Sequence, residues 1–118
     1  MATHPQAGQP ATAGMLIDPA QLERDYRERR PDMSLPAQQV SFGTSGHRGT
    51  PLNSTFTESH IQAITQAICE YRVAQGITGR LFLGKDTHAV SRAAQRRSQR
   101  MVRRQRFNNC CEIVDLFR

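Results

Sequence analysis

Seven consecutive residues, Gly43-Thr44-Ser45-Gly46-His47-Arg48-Gly49, hold the side chains of this 118-residue sequence best suited to chemistry on an anion. Glycines let backbone N–H groups approach a phosphate, the hydroxyls of Thr44 and Ser45 can donate to it, and Arg48 offers a forked, permanently charged contact. His47 adds a group able to donate or shuttle a proton near neutral pH. The heptad is not a Walker loop, because the Lys-Ser/Thr pair is missing, and it does not follow the dinucleotide glycine pattern. On the residues alone two readings stand: a solvated turn, or a phosphate or sugar-phosphate contact.

Other constellations are weaker. Cys69, Cys110 and Cys111 give an odd count with an adjacent pair, so no disulfide framework is indicated and a reduced compartment fits. His4, His47, His60 and His88 are scattered, with no Cys-x-x-Cys or His-x-x-x-His pair, so no metal site is expected. Ser45 and Ser59 each sit near a histidine, but neither stands in the context of a nucleophile.

The elements that must position the heptad follow from local pattern. Residues 1–14 carry no periodic apolar residue and read as a flexible lead-in. Asp18-Pro19 predicts an N-cap with Pro at the first helical position, Gln21 completing a capping box and Ile17 stapled to Leu22. That helix should run to about Arg29 and lie on a surface, since Leu22 and Tyr26 form its only apolar pair. Pro31 to Gln39 reads as a linker. Val40-Ser41-Phe42 predicts a short strand feeding the heptad, and Thr57 caps a helix from Glu58 to about Gln75. There Ile61, Ile64, Ile68 and Tyr71 should form one buried stripe. Residues 80–84 read as a buried strand, so that strand, loop, helix and strand make one βαβ-type unit within residues 40–90. A parallel pair of this kind needs cover on both faces. The arginine-rich stretch after residue 90 is expected not to supply it, because Ala94, Met101 and Val102 are spread thinly between charges.

Charge divides at the same place. The chain has 16 Lys+Arg against 10 Asp+Glu, a formal charge of +6 and a pI near 10.2. Residues 1–90 balance eight bases with eight acids, so the whole excess lies in residues 91–118. Six of its arginines, Arg92, Arg96, Arg97, Arg100, Arg103 and Arg104, project onto one helical arc. Hydrophobic residues are 37%, aromatics 6% and the mean hydropathy is −0.59, so a self-sufficient core is not assured. No run of about eighteen or more apolar residues and no signal-like start occurs, which excludes a membrane span and predicts a cytoplasmic protein.

Val40-Ser-Phe-Gly-Thr-Ser-Gly-His-Arg-Gly49, a helix of this length, and then Leu83-Gly-Lys-Asp-Thr-His88 together resemble the start of the bacterial phosphoglucomutases in the α-D-phosphohexomutase superfamily. Ala7-Gly-Gln-Pro-Ala11 and the helix after Asp18 are similar to the same family's N-terminal segment, so the resemblance covers about residues 7–90. It implies an α/β fold, here an incomplete first α/β/α domain with a mixed sheet, flanking helices and a basic tail that is disordered or helical. It also implies interconversion of glucose 1-phosphate and glucose 6-phosphate by a phosphoserine, through glucose 1,6-bisphosphate and with Mg²⁺. Carried onto this sequence, Thr44, Ser45, His47 and Arg48 should face the cleft, with Arg48 stabilising phosphoryl charge and His47 supporting the loop. Gly84, Lys85, Asp86 and His88 resemble the loop after the second strand, where Asp86 is expected to anchor backbone.

The chain has no Thr-x-Ser-His-Asn-Pro segment to carry a phosphoserine and no Asp-x-Asp-x-Asp segment for Mg²⁺. Alone it is expected to be inactive and to hold no cofactor. Residues 91–118 are read as an Arg-rich tail arising from a shifted reading frame, which the coding DNA tests. The competing reading is a small nucleic-acid-binding protein, whose tail makes non-specific contacts to phosphates.

Overall fold

A computed structural model describes residues 4–104 and the backbone of residues 113–115. Three helices carry the structure: α1 (Pro19–Glu28), α2 (Glu58–Ala74) and α3 (Ser91–Arg104). Between them lie two short sheets. One is an antiparallel hairpin of β1 (Phe42–Gly43) and β2 (Gly46–His47); the other pairs β3 (Leu81–Leu83) with β4 (Ile113–Asp115) in parallel. The class is α/β with flanking helices, as expected, but the mixed sheet is two separate two-stranded ladders among the described residues.

The crossover also differs from expectation. The strand at residue 42 does not pair with β3; its chain turns back on itself at Thr44-Ser45, with Gly46 at φ +94, and pairs with β2. A positive φ of that size is open to glycine and strained for other residues, so Gly46 permits the reversal. The parallel partner of β3 is β4, reached through α3, in the register Leu81 with Ile113 and Leu83 with Asp115. The βαβ unit is therefore β3-α3-β4.

Helix α1 is capped as predicted, the Ala20 N–H donating to Asp18 Oδ1 at 2.9 Å. The Ile17 staple does not form, since Ile17 is 65% exposed. Leu22 and Tyr26, the two apolar residues of an otherwise charged helix, are the heart of the core: they cluster with Val90, and Phe56, Ile61, Ala93 and Ala94 pack on them. Tyr26 is 1% exposed and its ring packs against Phe56, centroids 6.4 Å apart and planes tilted by 34°. Its hydroxyl has no hydrogen-bond partner among the described residues, and burial, aided by Glu58, pushes its pKa up.

On α2 the predicted stripe is displaced. His60, Thr65, Cys69 and Arg72 are buried, Ile61 and Ile64 half-buried, while Ile68 is 42% and Tyr71 62% exposed. The cause is α3, which lies along the Thr65 side: the Thr65 hydroxyl donates to Ser98 Oγ at 3.0 Å and Arg97 pairs with Glu58 at 3.6 Å. Gln62, with its amide oxygen turned to α3, also accepts from Arg97 Nε at 2.9 Å.

The expected lack of a covering helix is thus corrected. At about 100° per residue, Ala94, Ser98, Met101 and Val102 share one side of α3 with Ser91 and Gln95. Gln95 and Val102 are buried and the others half-buried, while Arg92, Arg96, Arg100, Arg103 and Arg104 are exposed on the opposite side. Small side chains allow close approach, and polar pairs replace the missing apolar stripe. Cys110 and Cys111 lie outside the described residues, as do the other residues of 105–112 and 116–118. Among the described helices none is long and apolar enough to cross a membrane.

Candidate functional site

A cleft of about 620 Å³ opens beyond the C-terminal end of β3. Open α/β sheets leave room for ligands at that end of their strands, and the volume falls within the about 300–1,000 Å³ of small-molecule sites. One wall is the chain leaving the hairpin, His47-Arg48-Gly49; the facing wall is the loop Gly84-Lys85-Asp86 with His88; α3 closes the side with Ser91, Gln95 and Ser98. Phe56, Ile61, Val90 and Ala94 give it an apolar floor shared with the core.

The heptad does not enter this cleft as a unit. Thr44 and Ser45 form the exposed tip of the hairpin and do not line the cleft, whereas His47 and Arg48 do. Arg48 is exposed and makes no ion pair or hydrogen bond among the described residues. Its guanidinium is therefore not neutralised by another described side chain.

His47 is placed differently from a proton shuttle. The Ser41 N–H donates to its Nδ1 at 3.2 Å, and its Nε2 lies 2.9 Å from the Thr55 carbonyl oxygen, to which the Nε2–H donates in that tautomer. Both ring nitrogens are committed to backbone, and the ring ties the hairpin to the segment after Gly49. It is stacked between Phe56 (6.0 Å) and His60 (5.0 Å, 16° between planes). His60, 2% exposed, accepts the Thr57 N–H on Nδ1 at 3.1 Å and reaches the Gln38 carbonyl with Nε2 at 2.8 Å. Acting as the third residue of the α2 capping box, it joins the helix start to the linker before β1. A column of rings, Tyr26, Phe56, His47 and His60, therefore runs from α1 to the root of the hairpin.

The second wall is fixed by Asp86, as anticipated. The Ser91 hydroxyl and the His88 N–H (3.0 Å) both donate to Asp86 Oδ1, tying the loop to the first residue of α3. These bonds, the Ser91 hydroxyl foremost, hold its carboxyl below the ordinary aspartate range.

The sequence reading missed His60, Ser41, Thr55 and Gln38 as supports of the site, and Ser91, Gln95 and Ser98 as its lining. A signal for the last group was present: Ala94, Ser98, Met101 and Val102 recur at helical spacing within the arginine row.

Among the described residues no three His, Cys, Asp or Glu side chains come together as a metal-ligand set. Asp86, the carboxylate on the cleft, is already taken by Ser91 and His88. The described residues do not fit Mg²⁺.

A family model described as phosphoglucomutase/phosphomannomutase, alpha/beta/alpha domain I, matches residues 39–109. The match includes the hairpin, α2, β3 and α3, and so continues past residue 90, where the resemblance was expected to end. A phosphoglucomutase of Komagataeibacter xylinus is 50% identical over 90 residues, which is 76% of this chain and 16% of the relative. The chain spans about a sixth of the length of that relative. With a matching domain model across more than half its residues and a relative at this identity, the chain belongs to the phosphoglucomutase/phosphomannomutase family, and its hairpin, α2, β3 and α3 fall within the match to that family's α/β/α domain I.

Proposed function

We propose that this chain supplies one wall of a phosphoglucomutase substrate cleft, in which Arg48 meets the phosphoryl group of a glucose phosphate. The observation that carries the reading is the position of Arg48: an unpartnered guanidinium on the cleft, one residue beyond a hairpin pinned at His47. Arginine placed this way stabilises the charge that spreads over phosphoryl oxygens during transfer. His47 supports the loop by holding backbone, and Thr44 and Ser45, exposed at the hairpin tip, would offer hydroxyls to a sugar phosphate that reaches beyond the cleft. The full reaction interconverts glucose 1-phosphate and glucose 6-phosphate through a phosphoserine and a bisphosphate. The segments that would carry phosphoserine and Mg²⁺ are not in this sequence. The 118-residue chain is therefore expected to bind a glucose phosphate weakly and not to convert it.

Two measurements test this together. In an assay coupled to glucose 6-phosphate dehydrogenase, the purified chain should show no turnover of glucose 1-phosphate; turnover would defeat the inactivity claim. In an NMR titration, glucose 1-phosphate should shift the amides of residues 47–49, and Arg48→Gln should abolish those shifts. Equal shifts in the variant would remove Arg48 from the site.

The outer side of α3 favours a second, separate activity. Arg92, Arg96, Arg100, Arg103 and Arg104 are exposed together, which suits non-specific contact with nucleic-acid phosphates. If about four of them engage, the logarithm of the affinity for duplex DNA should fall against log salt with a slope of about −4. Replacing Arg96 and Arg100 with Gln should flatten that slope by about 2. A slope unchanged by the double substitution would place any binding elsewhere.

A further inference from the structure

We propose that Lys85 is a second anion-contacting residue of the cleft, facing Arg48 across it, so that a phosphoryl group bound there is held between two cations. The inference rests on the reading of Arg48 given above and adds a residue to which the family resemblance assigned no ligand role.

Lys85 stands two residues after the end of β3, on the wall opposite the hairpin, and lines the same cleft as Arg48. It is half-buried rather than extended into solvent. Lysine ammonium groups are strongly hydrated and are seldom drawn toward an apolar floor without a partner. Lys85 has no ion pair or hydrogen bond among the described residues. The carboxylate next to it in sequence does not neutralise it, because Asp86 accepts from the Ser91 hydroxyl and the His88 N–H. Phe56, Ile61, Val90 and Ala94 line the same cleft, and their apolar surface lowers the screening of an anion bound there.

The chemistry of the ligand follows from that arrangement. A phosphate monoester carries close to two negative charges at neutral pH, and two separate cations match it better than one. Arg48 gives the planar fork that fixes orientation, and Lys85 gives a compact, rotatable charge. The polar side of α3, with Ser91, Gln95 and Ser98 on the cleft, lies where hydroxyls of a sugar attached to that phosphate would reach.

The test is a glucose 1-phosphate titration of the whole chain at low ionic strength, followed by NMR, with wild type and four variants compared. Lys85→Gln should weaken binding about tenfold, the loss of one charge-assisted contact. Lys85→Arg should recover most of it, which also guards against a fold defect in the first variant. Arg24→Gln removes an equal charge from the exposed side of α1, off the cleft, and should leave binding unchanged. If Lys85→Gln binds as wild type while Arg48→Gln does not, this inference is overturned and the Arg48 reading stands. If wild type shows no saturable shifts, or Arg24→Gln weakens binding as much as Lys85→Gln, both are overturned.

Discussion

Gly49→Ala is expected to cost about 3 kcal/mol or more, at the upper end of what forced overpacking does. A Cβ on Gly49 would sit 2.3 Å from the Thr55 carbonyl oxygen, 2.7 Å from its carbonyl carbon and 2.8 Å from its hydroxyl oxygen. Two of those atoms are backbone and cannot swing aside. Nor can the loop shift without loss, because it is closed by bonds on itself: the Thr50 N–H donates to Thr55 Oγ1 at 2.9 Å and the Thr55 N–H to the Thr50 carbonyl at 3.1 Å. The same Thr55 carbonyl holds His47 Nε2. Moving residue 55 to make room for a methyl group therefore releases the hairpin and, with it, the aim of Arg48. The other glycines of the heptad provide internal controls. Gly43 has open space at its Cβ position and no positive φ, so Gly43→Ala should be nearly neutral. Gly46→Ala should fall between them at about 1–2 kcal/mol, the ordinary cost of placing an L-residue at positive φ. Urea denaturation of the three variants reads the ranking directly; a Gly49→Ala midpoint no lower than that of Gly43→Ala would show that the close approach is not a constraint.

The three glycines also show what a sequence reveals about such a loop and what it hides. That the heptad was special could be read from composition. That Gly43 contributes little, Gly46 turns the chain and Gly49 admits another strand of backbone depends on Thr55, six residues away, and no local pattern encodes it. Helix positions were legible for the same local reasons: Asp18-Pro19 capped α1, and Thr57 opened α2. Which face each helix buries was not, because that depends on the neighbour. Ile68 and Tyr71 satisfied the periodicity of α2, yet α3 settled on the Thr65 side and left them open. Helix α3 was misjudged because buried surface was sought as large apolar residues. Its inner face is built instead from Ala94, Ser98 and Gln95 with Val102, and is joined to α2 by Thr65–Ser98 and Glu58–Arg97. In the site, Arg48 was singled out from its forked charge within the glycine-rich loop and does line the cleft, while the two histidines exchanged importance. His47, which looked chemical, is occupied by backbone, and His60, which looked incidental, underlies it.

His60→Ala should therefore lower stability by about 3 kcal/mol, combining two lost hydrogen bonds at about 1 kcal/mol each with the void left by a buried ring. Without the imidazole, the buried Thr57 N–H at the start of α2 loses its acceptor and the part-buried Gln38 carbonyl loses its donor. The ring also forms one side of the stack that keeps His47 in place, so its removal should be felt at the cleft although His60 does not line it. A glutamine separates these contributions. In a capping box the third helical residue is commonly Glu or Gln, whose side-chain oxygen can take the Thr57 N–H. His60→Gln should restore the helix cap, and with it about 1 kcal/mol, but not the stack on His47. Two observables then diverge: the urea midpoint should recover partly in the glutamine variant, while the His47 ring resonances should remain displaced in both. Binding of glucose 1-phosphate should follow the ring resonances rather than the midpoint, since what Arg48 needs is a fixed hairpin. If His60→Ala leaves the His47 resonances where they are in wild type, the column of rings does not transmit to the site, and Arg48 is positioned by the Ser41 and Thr55 contacts of His47 alone.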